Sequence, residues 1–124
     1  MRQHVRTVYS YAGCSTCRRA LSWLSREGIA HRVVDIVEAP PSSATLRRAM
    51  KEGNLPLAKL FNTSGRSYRE GGFKERLKSM TEEQALEALA ADGKLIKRPL
   101  LFTTNGLVLA GFRPEEWQKA LADS

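Results

Sequence analysis

The sequence has 124 residues, 42% hydrophobic and 27% charged, which is room for one domain spanning residues 1–124 with one core, and it excludes a catalytic domain joined to a regulatory one as well as a disordered or fibrous chain. No stretch approaches the roughly 18 consecutive apolar residues of a membrane span, and the Met1-Arg2-Gln3-His4-Val5-Arg6 start lacks an apolar run leading to a cleavage site, so a cytoplasmic protein with no membrane association is expected. The net charge of +7 is uneven: residues 1–62 hold ten basic and four acidic residues, residues 63–124 ten and nine. Such a surplus suits nucleic acid, an acidic protein or a small anion, but the absence of zinc-finger spacing, basic runs and aromatic platforms argues against direct nucleic-acid binding.

In chain order, residues 5–11 mix β-branched and aromatic side chains and stop at Ala12-Gly13, a strand running into a tight turn. Over residues 15–27, Cys17, Ala20, Leu21 and Leu24 recur at helical spacing, with Gly28 as the stop. Residues 29–37 carry Val33, Val34, Ile36 and Val37 and predict a second strand, so the opening third reads as a βαβ unit with parallel pairing. Pro40-Pro41-Ser42-Ser43 then leads into a helix over 44–52 ending at Gly53, and a short helix is expected over 57–61. Residues 62–72 are polar, glycine-rich and without periodicity, and read as the longest loop. A short helix is predicted over 73–80. Thr81-Glu82-Glu83-Gln84 has the spacing of a capping box for a helix to about residue 91, closed by Asp92-Gly93. Two apolar runs around Asn105-Gly106 predict a hairpin, and Pro114, Glu115 and Glu116 suit the first turn of a last helix that turns Trp117, Leu121 and Ala120 inward. The helical middle reads as an insertion within one α/β domain.

The two cysteines, Cys14 and Cys17, form a C-x-x-C pair. One pair three residues apart is no secreted disulfide scaffold; a zinc site would need two more ligands, and His4 and His31 are isolated; Arg18 rather than histidine follows, which excludes a haem-attachment motif. Placed at a helix N-terminus, Cys14 would have its thiol pKa drawn below the free value of about 8.5 and act as nucleophile. Cys17, one turn on and more buried, would resolve a mixed disulfide on Cys14. The bland alternative makes Cys17 a small core residue on the face of Leu21 and Leu24.

Four stretches carry a resemblance: Tyr9-Ser10-Tyr11-Ala12-Gly13-Cys14-Ser15-Thr16-Cys17-Arg18-Arg19-Ala20, the loop after Leu60-Phe61-Asn62-Thr63, Lys97-Arg98-Pro99 with its apolar strand, and Gly111-Phe112-Arg113-Pro114. In order and spacing they resemble the thioredoxin-fold arsenate reductases (ArsC) of the glutaredoxin-coupled type and their Spx/MgsR relatives, over nearly the whole chain. The resemblance implies a thioredoxin-like α/β fold, a four-stranded mixed sheet with flanking helices, and a cis Pro99 beside the cysteine loop. It implies Cys14 as the residue that attacks an oxyanion and Arg98 and Arg113 as the guanidinium groups that hold its oxygens, with Pro99, Ser15 and Thr16 in support. The third family arginine is unmatched: Asn62 stands there, with Arg66 and Arg69 nearby. Family enzymes of this type usually lack a second cysteine, whereas Cys17 is present here as in the Spx-like branch.

Two functions follow. The first is a thiol-disulfide redox protein, an ArsC-like reductase with no bound cofactor and with glutathione and glutaredoxin, or thioredoxin, as electron donor. The alternative is an Spx-like redox-sensing transcriptional regulator whose Cys14–Cys17 disulfide switches binding to RNA polymerase.

Overall fold

A computed structural model describes residues 6–122. His4 and Val5, which entered the sequence reading, lie outside the described residues. Strand β1 (Arg6–Ser10) alternates buried and half-buried positions, and so presents Val8 to one side of the sheet and Tyr9 to the other. Helix α1 (Ser15–Arg26) returns to β2 (Arg32–Asp35), which pairs parallel to β1 with Val8 opposite Val33. After a helical segment, β3 (Leu100–Thr103) pairs antiparallel to β1, and β4 (Val108–Ala110) antiparallel to β3. The order β2-β1-β3-β4 is the four-stranded mixed sheet of a thioredoxin-like fold, as the resemblance implied.

The pleat divides the core. Val8, Leu101 and Leu109 pack with Ala20, Trp23 and Leu24 of α1 and with Trp117 and Leu121 of α6 (Pro114–Leu121). Leu100 and Val108 face the other way, towards α2 (Ser43–Glu52) and α5 (Glu82–Ala91), where Leu46, Ala49, Leu86 and Leu89 are buried. Local signals set these helices: the Ser42 hydroxyl accepts from the Thr45 amide, and Thr81 and Gln84 complete the capping box reciprocally. Arg47 of α2 pairs with Glu83 of α5 across the packed helices. Residues Leu57–Leu60 form a 3-10 helix, as does Gly93–Leu95, which is capped by the Asp92 side chain.

Three expectations are corrected. The second strand is four residues long rather than nine, because Asp35 turns its carboxylate onto the amides of Val37 and Glu38 and ends the ladder. The stretch 62–72 is not a continuous loop: Arg66–Glu70 forms helix α3, stabilised where Tyr68 packs on Phe61 and Phe73 and where Arg66 faces Glu70 at 3.5 Å. The following helix, α4, covers only Phe73–Arg76.

Candidate active site

The chain leaves β1 through a turn in which the Cys14 amide donates to the Tyr11 carbonyl at 3.0 Å, and it enters α1 with Cys14 as the N-cap. Its sulfur occupies the position a serine or aspartate oxygen usually takes, accepting from the Cys17 amide at 3.3 Å. A negative sulfur suits that place, because first-turn amides are unpaired within the helix and the dipole is positive there. Burial alone would raise the Cys14 thiol; the side chain and amide of Cys17, with the charge and donor groups of Arg98, overcome it and the net displacement is downward. Cys17 is wholly buried, and burial, followed by its interaction with the Cys14 side chain, pushes its thiol up to about 11. No disulfide joins the two cysteines in this structure. Two thiols one turn apart are thus driven in opposite directions, one towards thiolate and one held as a neutral acid.

Arg98 precedes a cis peptide bond to Pro99 at the entrance to β3. Its guanidinium donates to the Lys94 carbonyl at 3.1 Å and lies 5.3 Å from the Tyr11 ring centre, while its Nε is buried with no hydrogen-bond partner. Arg113 is the exposed N-cap of α6. The two arginine-bearing segments are tied through Gly111, whose amide donates to the Pro99 carbonyl at 2.8 Å and whose carbonyl accepts from the Trp117 indole at 3.0 Å. Gly111 has φ of 77°, a conformation that favours glycine.

Cys14, Thr16, Asn62, Arg98 and Arg113 line one cavity of about 600 Å³, joined by Arg19, Lys59 and Lys97 and by a single carboxylate, that of Glu116. Pro99 is buried at the cis bond and does not line the cavity. Ser15 is set apart: it is exposed and lines a neighbouring groove on the outer face of α1. Of the three candidates for the unmatched arginine, only Asn62 reaches the cavity; Arg66 is paired with Glu70, and Arg69 donates to the Ser64 carbonyl.

Sequence reasoning missed Lys59, Lys97 and Arg19. Lys97 adjoins Arg98 in sequence, a signal that could have placed it; Lys59 stands in a 3-10 helix and has no motif of its own. Among the described residues there is no cluster of three or more His, Cys, Asp or Glu side chains able to hold a metal ion, and His31 turns Nδ1 to the Ile29 carbonyl at 2.8 Å. Among the described residues no helix is long and apolar enough to cross a membrane.

Comparison with known proteins matches the family model described as "ArsC family" over residues 9–120. The uncharacterised protein YusI of Bacillus subtilis is 45% identical over 114 residues, covering 91% of this chain and 95% of that protein. The regulatory protein MgsR of Bacillus subtilis is 26% identical over 113 residues, covering 91% and 87%. The solved structure of an arsenate reductase from Vibrio cholerae superposes with a TM-score of 0.84 at 26% identity, covering 97% of this chain and 100% of that one.

Proposed function

The chain belongs to the ArsC family, and from that premise we propose that it is a thiol-dependent reductase in which Cys14 attacks a small oxyanion or a disulfide and Cys17 resolves the adduct. The observation that carries the reading is the opposed tuning of the two thiols: Cys14 is lowered at the head of α1, and Cys17 is raised to about 11 one turn behind it.

With arsenate as the oxyanion, the Cys14 thiolate displaces an oxygen of the As(V) centre, which leaves as water after protonation, and forms an S–As bond. Cys17 then loses its proton and attacks the Cys14 sulfur. The S–As bond breaks with its electron pair on arsenic, arsenite departs, and the dithiol has given up two electrons to become the Cys14–Cys17 disulfide. Arg98 and Arg113 neutralise the oxyanion. Arg98 lines the same cavity as Cys14, and its charge and donor groups already favour a negative sulfur there, which supports this role. Asn62 supplies a neutral amide where the family places a third guanidinium, and Lys59 and Lys97 add mobile charge around it. The 600 Å³ cavity falls in the range of small-molecule sites, about 300–1,000 Å³, and has room for a second thiol such as glutathione beside the oxyanion.

The test is arsenate-dependent NADPH oxidation by the purified protein, coupled in turn to glutathione with glutaredoxin and to thioredoxin, with Cys14→Ser as blank. Turnover that requires Cys14 is the expected result and identifies the donor; Cys17→Ser should then accumulate the mixed disulfide. A second reading, a redox-switched regulator that binds RNA polymerase, is favoured by the C-x-x-C pair and by the similarity to MgsR. It predicts a disulfide that cycles reversibly without arsenate turnover, and polymerase binding by only one of the two redox states.

A further inference from the structure

A second groove, of about 560 Å³, runs along the outer face of α1, starting at Ser15 beside the nucleophile and ending at Arg26 in the last helical turn. Arg18, Arg19 and Arg26 line it, and all three are exposed. Their charge is uncompensated. Arg18 donates to the Ala12 carbonyl at 2.6 Å and Arg19 to the Thr16 hydroxyl at 3.5 Å, both neutral acceptors. Among the described residues the ion pairs are Arg47–Glu83, Arg48–Glu52, Arg66–Glu70 and Lys78–Glu75, none of which involves α1. The nearest carboxylates in sequence, Glu27 beyond the helix end and Glu115 on α6, do not line the groove, and Glu116 lines the cysteine cavity instead. Arg19 and Phe112 line both the groove and the cavity, so the two adjoin.

We propose that this groove docks an acidic segment of a protein that exchanges disulfides with Cys14, an inference that rests on the thiol chemistry assigned above. From Arg18 to Arg26 the helix rises about 12 Å, the reach of three or four residues of extended chain, so the array suits a polypeptide with several carboxylates better than a single small anion. Nucleic acid fits less well. Trp23 is 9% exposed, and Phe112 stands edge-on to Trp117 with ring centres 5.0 Å apart, so the aromatic residues are committed to packing rather than open to stacking bases. In the exchange, the Cys14 thiolate forms a bond to one sulfur of the partner's disulfide and the other leaves as thiolate. Cys17 then gives up its proton and displaces the partner from Cys14. The partner's disulfide has gained two electrons and the Cys14–Cys17 dithiol has lost them.

The test uses the full chain with Cys17→Ser, so that reaction stops at the mixed disulfide. Two matched peptides, one with three glutamates and one with three glutamines ahead of a single cysteine, are activated as 2-thiopyridyl disulfides, and the released thiopyridone is followed by absorbance. The glutamate peptide should react about tenfold faster at low ionic strength, with the advantage collapsing as salt shortens the Debye length. Adding Ser22→Glu and Arg26→Glu, both on α1 away from Cys14, should erase that advantage and leave the glutamine peptide's rate unchanged. Equal rates for the two peptides, or an advantage that survives the charge reversal, overturn the docking proposal alone. Failure of both peptides to react overturns the thiol chemistry and the docking proposal with it. A single-stranded oligonucleotide that blocks the glutamate peptide at lower concentration than a cysteine-free glutamate peptide does would reassign the groove to phosphate and overturn the proposal.

Discussion

Raising the pH of the reduced protein from 8 to 11 should destabilise it through Cys17. A free thiol ionises near 8.5 to 9, whereas Cys17, wholly buried, ionises at about 11 in the fold. Over that interval the unfolded chain sheds a proton that the native protein keeps, so stability is fully present below the unfolded value and declines as pH rises towards the folded one. At about 1.4 kcal/mol per tenfold change, the loss reaches about 2 kcal/mol by pH 11, or roughly a thirtyfold fall in the folded-to-unfolded ratio. Cys14, displaced downward, contributes in the opposite sense. Comparison with Cys17→Ala cancels the contribution of the groups that do not touch Cys17 to first order; Cys14, whose downward displacement the Cys17 side chain supports, moves back up in that variant and is followed separately by alkylation. Urea unfolding under reducing conditions at both pH values should show the parent midpoint falling by about 1–2 M more than that of Cys17→Ala, for a slope of about 1–2 kcal/mol/M. Midpoints that fall in parallel would refute the assignment of a strongly raised pKa to Cys17.

The rate of Cys14 alkylation by iodoacetamide should follow a thiolate fraction whose midpoint lies below that of a free cysteine, and Arg98→Ala should move the midpoint upward by removing a charge that favours the thiolate; an unmoved midpoint would show that Arg98 does not tune it. Gly93→Ala should destabilise the fold by at least about 3 kcal/mol, because a Cβ there would stand 1.8 Å from the Ile36 carbonyl oxygen; a thermal midpoint lowered by about 10 °C is the expected readout. Thr81→Ala should cost about 1 kcal/mol by breaking the capping box of α5, while Thr81→Ser should recover most of it, as measured by chemical denaturation.

What was legible in the sequence is what local chemistry decides. Thr81 and Gln84 mark the start of α5 because each satisfies the other's backbone amide, and nothing distant is required. Asn105-Gly106 places the hairpin because Gly106 supplies the positive φ, 91°, that the turn needs. The cysteine pair was found through its spacing, and Arg98 with Pro99 and Arg113 through the resemblance to a known family; the fold brings Cys14, Arg98 and Arg113 to one cavity. Helix α3 was hidden because its stability comes from Tyr68 against Phe61 and Phe73, a contact among rings that no five-residue window reveals. Val33, Val34, Ile36 and Val37 suggested a longer strand because the Asp35 carboxylate competes for the next two amides, a side-chain effect that hydrophobic patterning does not register. Lys59 escaped notice because a lone basic residue in sequence is indistinguishable from solvated surface until two distant segments meet around Asn62, whereas Lys97 was legible beside Arg98 and was passed over.

The double tie made by Gly111 turns the backbone into a caliper. One jaw carries Arg98, the other Arg113, and the setting between them is held by main-chain and indole hydrogen bonds rather than by the ion that would sit in the gap. Discrimination between anions of different radius would then come from the reach of the guanidinium arms and not from closure of the frame around its guest. Under the proposed oxyanion role, exchanging Arg113 for a shorter cation or altering Asn62 would shift the preferred ion size. Gly111 itself is denied that freedom, because its φ of 77° is strained for any residue that carries a Cβ.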